Sequence, residues 1–238
     1  MFTHLLNLLY PAVCELCQAS LSDGSSLCLS CRGQLPRLTP PFCASCGESF
    51  DGALDEDFEC QNCRGLRHDF DFARASLKGL APSFDLVHRL KYQRHFFLVR
   101  SLAAFLYDTL LEDERFQALT APLLVPVPLH WRRQQWRHGN QAHELARELS
   151  KASGLALSSC LVRKRRTQTQ TKLNRRQRLS NLRGAFAIKK RHRDRLAGKD
   201  LILIDDVFTT GATAHECARL LKKEANVARV AVLTLVRG

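Results

Sequence analysis

The run from Leu201 to Leu221, LILIDDVFTTGATAHECARLL, constrains the architecture more than any other stretch. Leu201, Ile202, Leu203 and Ile204 are uninterruptedly apolar, the pattern of a strand covered on both faces within a parallel sheet. Asp205 and Asp206 follow it. Thr209-Thr210-Gly211-Ala212-Thr213 makes a small hydroxyl-rich turn, after which Ala214, Cys217, Ala218 and Leu221 recur on one helical face. Such a turn gathers backbone N–H groups and hydroxyls at a helix N-terminus, where the free donors and the helix dipole favour a phosphate. The acids stand at the carboxyl end of a strand, where open α/β sheets take ligands, and suit ribose hydroxyls or Mg²⁺. Each part also has a plainer use, since Asp caps helices and Thr/Gly builds turns. Their combination after a buried strand favours the ligand site.

Residues 14 to 63 hold eight of the ten cysteines as four C-x-x-C pairs: Cys14/Cys17, Cys28/Cys31, Cys43/Cys46 and Cys60/Cys63. Each pair turns two thiolates toward one cation, and two pairs complete a tetrahedral zinc site. Disulfides need an oxidising compartment, and an iron–sulfur site is the other alternative. Two structural zinc ions are expected. Pairing in sequence and pairing of first with third and second with fourth remain equally open. The intervening GQLPRLTPPF reads as a semi-rigid connector, and Gly47 and Gly65 ease the turns beside two of the pairs.

The net charge is +13 over 238 residues, and its location matters more than its size. Residues 163 to 195 carry fourteen Lys/Arg against the single acid Asp194, while the rest of the chain balances. A basic segment of this kind reads as a polyanion site. Residues 1 to 13, MFTHLLNLLYPAV, lack the features of a signal peptide; Phe2, Leu5, Leu6 and Leu9 read as a short amphipathic helix packed on the cysteine module, with a membrane-surface helix as the alternative. No stretch is apolar for long enough to span a membrane, so a cytoplasmic protein is expected.

From about Asp71 the pattern turns to mixed α/β. Strands are expected at Phe72 to Leu77, Leu123 to Pro128 and Ala228 to Val236, and helices at Ser83 to Tyr92, Phe96 to Leu111 and His143 to Ser150, the last stopped by Gly154. Pro126 and Pro128 point to a strand end or a special peptide geometry. Trp131 and Trp136 alternate with Arg132, Arg133 and Arg137, which suits base stacking and phosphate clamping, or equally a tryptophan pair under solvated arginines. Residues 160 to 186 are basic and poor in apolar side chains, a segment that orders over an anionic ligand.

The pattern LILIDDVFTTGAT resembles the phosphoribosyl-pyrophosphate (PRPP) loop of the type I phosphoribosyltransferases. That resemblance assigns Asp205 and Asp206 to the ribose hydroxyls and Thr209, Thr210, Gly211, Ala212 and Thr213 to the 5′-phosphate. With the cysteine module, nearly the whole chain resembles the ComF/GntX family, which joins a zinc-binding N-terminus to a phosphoribosyltransferase-like domain and is associated with competence and DNA utilisation. The supporting motifs are Leu90-Lys91-Tyr92, Val125-Pro126-Val127-Pro128, Asn140-Gln141-Ala142 and the spaced set Arg163, Arg165, Thr167, Gln170, Arg178, Asn181, Gly184, Ala185 and Phe186. The chain departs from the usual R-G-F-N-Q-A at His138 and Gly139.

The resemblance implies an α/β fold with a mostly parallel sheet flanked by helices, divided into a helix plus double zinc ribbon over 1–66 and a phosphoribosyltransferase-like domain over 67–238. It places Pro128, Leu129 and His130 beside the pyrophosphate, makes 163–183 with Arg163 and Arg165 a flexible hood, and gives Lys91 a part in stabilising the departing pyrophosphate. PRPP with Mg²⁺ is the expected ligand. The expected role lies in DNA uptake or use, with single-stranded DNA and a DNA-uptake helicase as partners. The alternatives are a non-catalytic DNA-binding or adaptor protein on this fold, or a PRPP sensor.

Overall fold

A computed structural model of the chain describes residues 12–22, 25–50, 52, 58–93, 95–131, 134–135, 139–165 and 181–238. The expected N-terminal helix of Phe2, Leu5, Leu6 and Leu9 lies outside the described residues. So do Arg132, Arg133, Trp136, Arg137, His138, Thr167, Gln170, Arg178 and most of the basic hood.

In chain order the elements are α1 (Leu29–Gln34), β1 (Phe72–Lys78), α2 (Ala81–Tyr92), α3 (Leu98–Glu112) and the short α4 (Glu114–Gln117). Then come β2 (Leu123–Pro126), α5 (Gln141–Ser153), β3 (Leu161–Arg163), β4 (Phe186–Ile188), the short α6 (Arg193–Leu196), β5 (Asp200–Phe208), α7 (Ala212–Ala225) and β6 (Arg229–Arg237). Four strands form one parallel sheet in the order β1-β6-β5-β2. β3 and β4 pair antiparallel as a separate ribbon.

The two longest strands take the centre because both of their faces are apolar. Along β5, Ile202 and Ile204 pack with α2, α3 and α5, while Leu201 and Leu203 pack with α7 on the other face. β5 also runs further than its apolar core implies, from Asp200 to Phe208, so the paired acids sit inside its last turns of pleat. Asp200 belongs to the strand as well. Its buried carboxylate accepts from Thr120 N–H at 2.7 Å and pairs with Arg229, whose hydrogen bonds hold it below the usual carboxylate range. β2 stops at Pro126, two residues short of the expected Pro128, because neither proline has an N–H for the ladder. Pro126 is tolerated in a strand with only β5 fully paired beside it. Among the described residues the cis peptide bond is Pro40–Pro41, so the prolines at 126 and 128 carry no special geometry.

The connector between the cysteine sets is a structural strip. Lys78 N–H donates to Pro36 at 2.7 Å and Leu38 N–H to Ser76 at 3.1 Å, so residues 36–38 run antiparallel along the free edge of β1. That edge is thereby closed to other strands. Crossing it carries the chain from one face of the sheet to the other: Cys14, Leu27, Cys31 and Leu35 pack with the α2/α3 layer, Cys43, Cys46 and Cys63 with the α7 layer.

The second cysteine set is pressed against β1 itself. Ala73 N–H donates to Ser45 at 2.9 Å, and Gly47 has φ +69° with space for no side chain, since a Cβ there would stand 2.4 Å from the Ala73 carbonyl oxygen. Gly47→Ala is therefore expected to destabilise the protein by at least about 1–3 kcal/mol. Denaturant midpoints of the zinc-loaded wild type and variant check this; equal midpoints would refute the close docking.

Candidate functional site

Two four-cysteine clusters are formed, Cys14, Cys17, Cys28, Cys31 and Cys43, Cys46, Cys60, Cys63, with all sulfurs in each set within 4.8 Å of one another. Pairing in sequence is thus the one adopted. Four sulfurs about 2.3 Å from one Zn²⁺ stand about 3.8 Å apart. The Cys17–Cys28 and Cys46–Cys60 separations of 3.7 and 3.6 Å fit that tetrahedron, and two zinc ions suit the clusters. Cys28 Sγ also caps α1 by accepting from Cys31 N–H, and Cys43 Sγ accepts from Cys60 N–H, both at 3.4 Å. Such bonds steady the sulfurs in the orientation a metal needs.

The main crevice, about 570 Å³, opens at the carboxyl end of β5 between the end of α2 and the start of α7. Strand alternation turns successive side chains to opposite faces, which separates the two acids. Asp206 points with Ile202 and Ile204 toward α2, where Lys91 Nζ meets its Oδ1 at 2.8 Å. Asp205 points with Leu201 and Leu203 toward α7, and its Oδ1 accepts from Asp206 N–H at 2.9 Å. Burial first, and the Asp206 charge second, push the Asp205 carboxyl up to about 7, while Lys91 and Arg163 oppose the rise.

Thr209, Thr210, Gly211, Ala212 and Thr213 line the same crevice. Gly211 sits before α7 with φ +72°, and a Cβ there would lie 2.8 Å from the Phe208 ring. Only glycine fits that turn without strain. It swings the chain from strand to helix in a few residues, so that the first turn of α7 opens toward the acids. The crevice therefore combines two carboxylates, one ammonium and a helix N-terminus.

Pro128, Leu129 and Arg163 also line it, so the structure brings these expected residues together with the acids, Lys91 and the loop. Arg163 is further placed over the Phe186 ring at 5.3 Å. His130 and Arg165 are not in the lining. His130 is buried beside Trp131, and Arg165 donates to the carbonyls of Asn181 and Arg183 at 2.9 and 3.0 Å, tying together the two ends of the basic segment. A second cavity of about 450 Å³ shares the Pro128, Leu129 and Arg163 wall and reaches Trp131, His143 and Lys189.

Several lining residues escaped the sequence reading. Phe84 and His88 complete the wall with Lys91, and their spacing of four and three residues on a helix was the available signal. Phe208 is another, and Arg237 lies just outside the lining, bonded to the Phe208 and Thr209 carbonyls. An arginine closing the mostly apolar run of β6 was the available signal for Arg237, which is buried beneath the loop.

The fold and clusters define a double zinc ribbon joined to a phosphoribosyltransferase-type α/β domain. Residues 5–64 match the double zinc ribbon domain and residues 141–238 the phosphoribosyl transferase domain. Competence protein F of Haemophilus influenzae is 32% identical over 216 residues, covering 88% of this chain and 90% of the relative. DNA utilization protein YhgH of Escherichia coli K12 is 31% identical over 222 residues, covering 92% and 94%, and competence protein ComFC of Bacillus subtilis is 26% identical over 252 residues, covering 97% of each. The chain belongs to the ComF/GntX family. Among the described residues no helix is long and apolar enough to cross a membrane.

The raised Asp205 makes stability depend on pH with a definite sign. An unfolded aspartate titrates near ~3.9, whereas folded Asp205 releases its proton near about 7. Between those values the folded state holds the extra proton, so this group lowers stability as pH rises from about 4 to about 7 and has no further effect above. Asp205→Asn is expected to be stabilised relative to wild type across that window, with the gap widening toward neutral pH. Urea midpoints of both proteins across the window check it; a constant difference would show that Asp205 ionises normally.

Proposed function

We propose that the chain binds PRPP in the crevice at the end of β5 and acts, as a phosphoribosyltransferase-like protein, in DNA uptake or DNA utilisation. The observation that carries this reading is the convergence of Asp205, Asp206, Lys91 and the 209–213 loop on one cavity. The loop N–H groups and threonine hydroxyls receive the 5′-phosphate, a fully charged group at the positive end of α7. The two acids accept from the ribose hydroxyls. Lys91 then faces two ways: in the free protein it answers the Asp206 charge, and with ligand present it is close enough to help hold the pyrophosphate.

Mg²⁺, held chiefly by pyrophosphate oxygens, would supply charge neutralisation to the leaving group. What the chain contributes is positioning and electrostatics, with Pro128 and Leu129 on the pyrophosphate side and Arg163 supplying a second cation. In this reading 1–66 is the zinc module and 67–238 the ligand-binding domain. Thiolate-rich metal sites fit a reducing compartment, which supports a cytoplasmic location.

Calorimetric titration of the zinc-loaded protein with PRPP and Mg²⁺ tests the pocket. Saturable binding is expected, weakened about tenfold or more in Asp206→Asn, where a charge-assisted bond to ribose is lost. Absence of binding by the folded wild type would end both the enzyme and the sensor readings.

A nucleic-acid role has its own support. Lys190, Arg191, Arg193 and Arg195 are exposed within six residues that contain one acid, close in sequence to the basic hood. Single-stranded DNA is the polyanion that such a surface and the DNA-utilisation relatives favour, with a DNA-uptake helicase as the protein partner. Affinity for an unstructured oligonucleotide should fall steeply as salt rises. An affinity indifferent to salt would refute phosphate contacts by these bases.

A further inference from the structure

Arg237 ends β6 and is buried, yet it touches neither acid of the crevice. Its guanidinium lies over the Phe208 ring at 5.1 Å. One end, Nη1, donates to the carbonyls of Phe208 at 3.2 Å, Thr209 at 2.8 Å and Gly238 at 2.7 Å. The other end, Nη2, approaches Cys46 Sγ at 3.7 Å and pairs with Glu48. A single rigid side chain thus joins the start of the phosphate loop to a ligand of the second cysteine cluster.

The loop end of this contact controls direction. A peptide group is planar, so fixing the carbonyl of Phe208 also fixes the N–H of Thr209, and fixing the carbonyl of Thr209 fixes the N–H of Thr210. These are the first donors of the loop that lines the crevice. At the other end, a metal-bound cysteine is an anionic acceptor, and an N–H bond to it both steadies the sulfur and holds the guanidinium in place. Arg is suited to this because its fork presents several donors in one plane, which lysine does not.

The same side of the loop receives further support from the segment that leads from the second ribbon into β1. Phe70 packs edge-on against Phe208, with centroids 5.9 Å apart. Asp69 N–H donates to His215 Nδ1 in the first turn of α7 at 3.2 Å. By contrast, the first cluster sits on the opposite face of the sheet.

We infer that Arg237 is a positioning residue through which metal binding at Cys43, Cys46, Cys60 and Cys63 pre-orders the 209–213 loop for a phosphate. Among the described residues, metal at the first cluster has no such path to the loop. The ligand half of the inference rests on the proposed PRPP site; the tie between cluster and loop does not.

The test uses full-length, zinc-loaded wild type, Arg237→Gln and Arg237→Lys. Hydrogen exchange is read at 209–213, and zinc release is read cluster by cluster through the order in which the cysteines become open to alkylation. In Arg237→Gln the loop amides should exchange about tenfold faster, the equivalent of losing one net hydrogen bond. Zinc should leave the second cluster faster, and the first cluster at the wild-type rate. Arg237→Lys, which keeps the charge but not the fork, should fall between the two, and it decides the matter if the glutamine variant does not fold. PRPP affinity should fall in the same order.

Unchanged loop exchange, or zinc loss quickened equally at both clusters, would overturn the inference, the second because it marks general destabilisation. If wild type binds no PRPP, the ligand reading fails alone. Exchange and zinc release still decide the tie.

Discussion

Asp205 and Asp206 leave β5 toward opposite faces of the sheet, and each must have its charge answered on its own side. On the α2 side the answer is Lys91, 2.8 Å from Asp206. On the α7 side no equally close ammonium stands among the described residues, and burial with the neighbouring charge keeps Asp205 protonated up to about 7. The surrounding elements follow from this arrangement. α2 has to end where its last turn brings Lys91 over the strand, and α7 has to begin close enough for its amides to face the same space. The proposed phosphoribosyl ligand would complete what the free protein leaves unbalanced, since hydroxyls donate to carboxylates and phosphate takes up N–H groups.

Each wall of the crevice is backed by a different half of the cysteine module. The first half docks on α2 and α3: Glu15 accepts from Arg89 at 2.8 Å, and Ser26 Oγ bonds Ser101 Oγ at 2.8 Å. Arg89 is two residues from Lys91 in the same helix. The second half docks on β1 through Gly47, and on the loop through Cys46 and Glu48, which hold Arg237. The strip at 36–38 joins the halves around the β1 edge. A module that reads in sequence as an appended domain is thus built into the sheet it accompanies, capping one edge and both faces.

Much of the site was legible because its parts are local. The apolar run, the two acids and the loop are contiguous, and strand-to-loop-to-helix order follows from pattern alone. The C-x-x-C pairs were equally plain, although which pairs join depends on how the 36–38 strip crosses the sheet edge, and no spacing rule encodes that. The bounds of β2 and β5 were read two to four residues off, because hydrogen-bond partners across the sheet decide where a strand ends. β5 is prolonged through the acids by its pairing with β6, out to Phe208 opposite Arg237. Arg237 itself was missed since its meaning lies in three segments distant in sequence: Cys46, Phe208 and its own strand. His130, expected beside the pyrophosphate, is buried outside the crevice lining, a placement set by packing that the sequence does not encode locally.

The most direct test of the phosphoribosyl reading is a crystal structure of the zinc-loaded protein grown with PRPP and Mg²⁺. The account predicts the 5′-phosphate against the N–H groups of 209–213 and the ribose hydroxyls on Asp205 and Asp206, with Lys91 turned toward the pyrophosphate. A crevice that stays closed by the Lys91–Asp206 pair at saturating PRPP, or a ligand bound elsewhere, would contradict it.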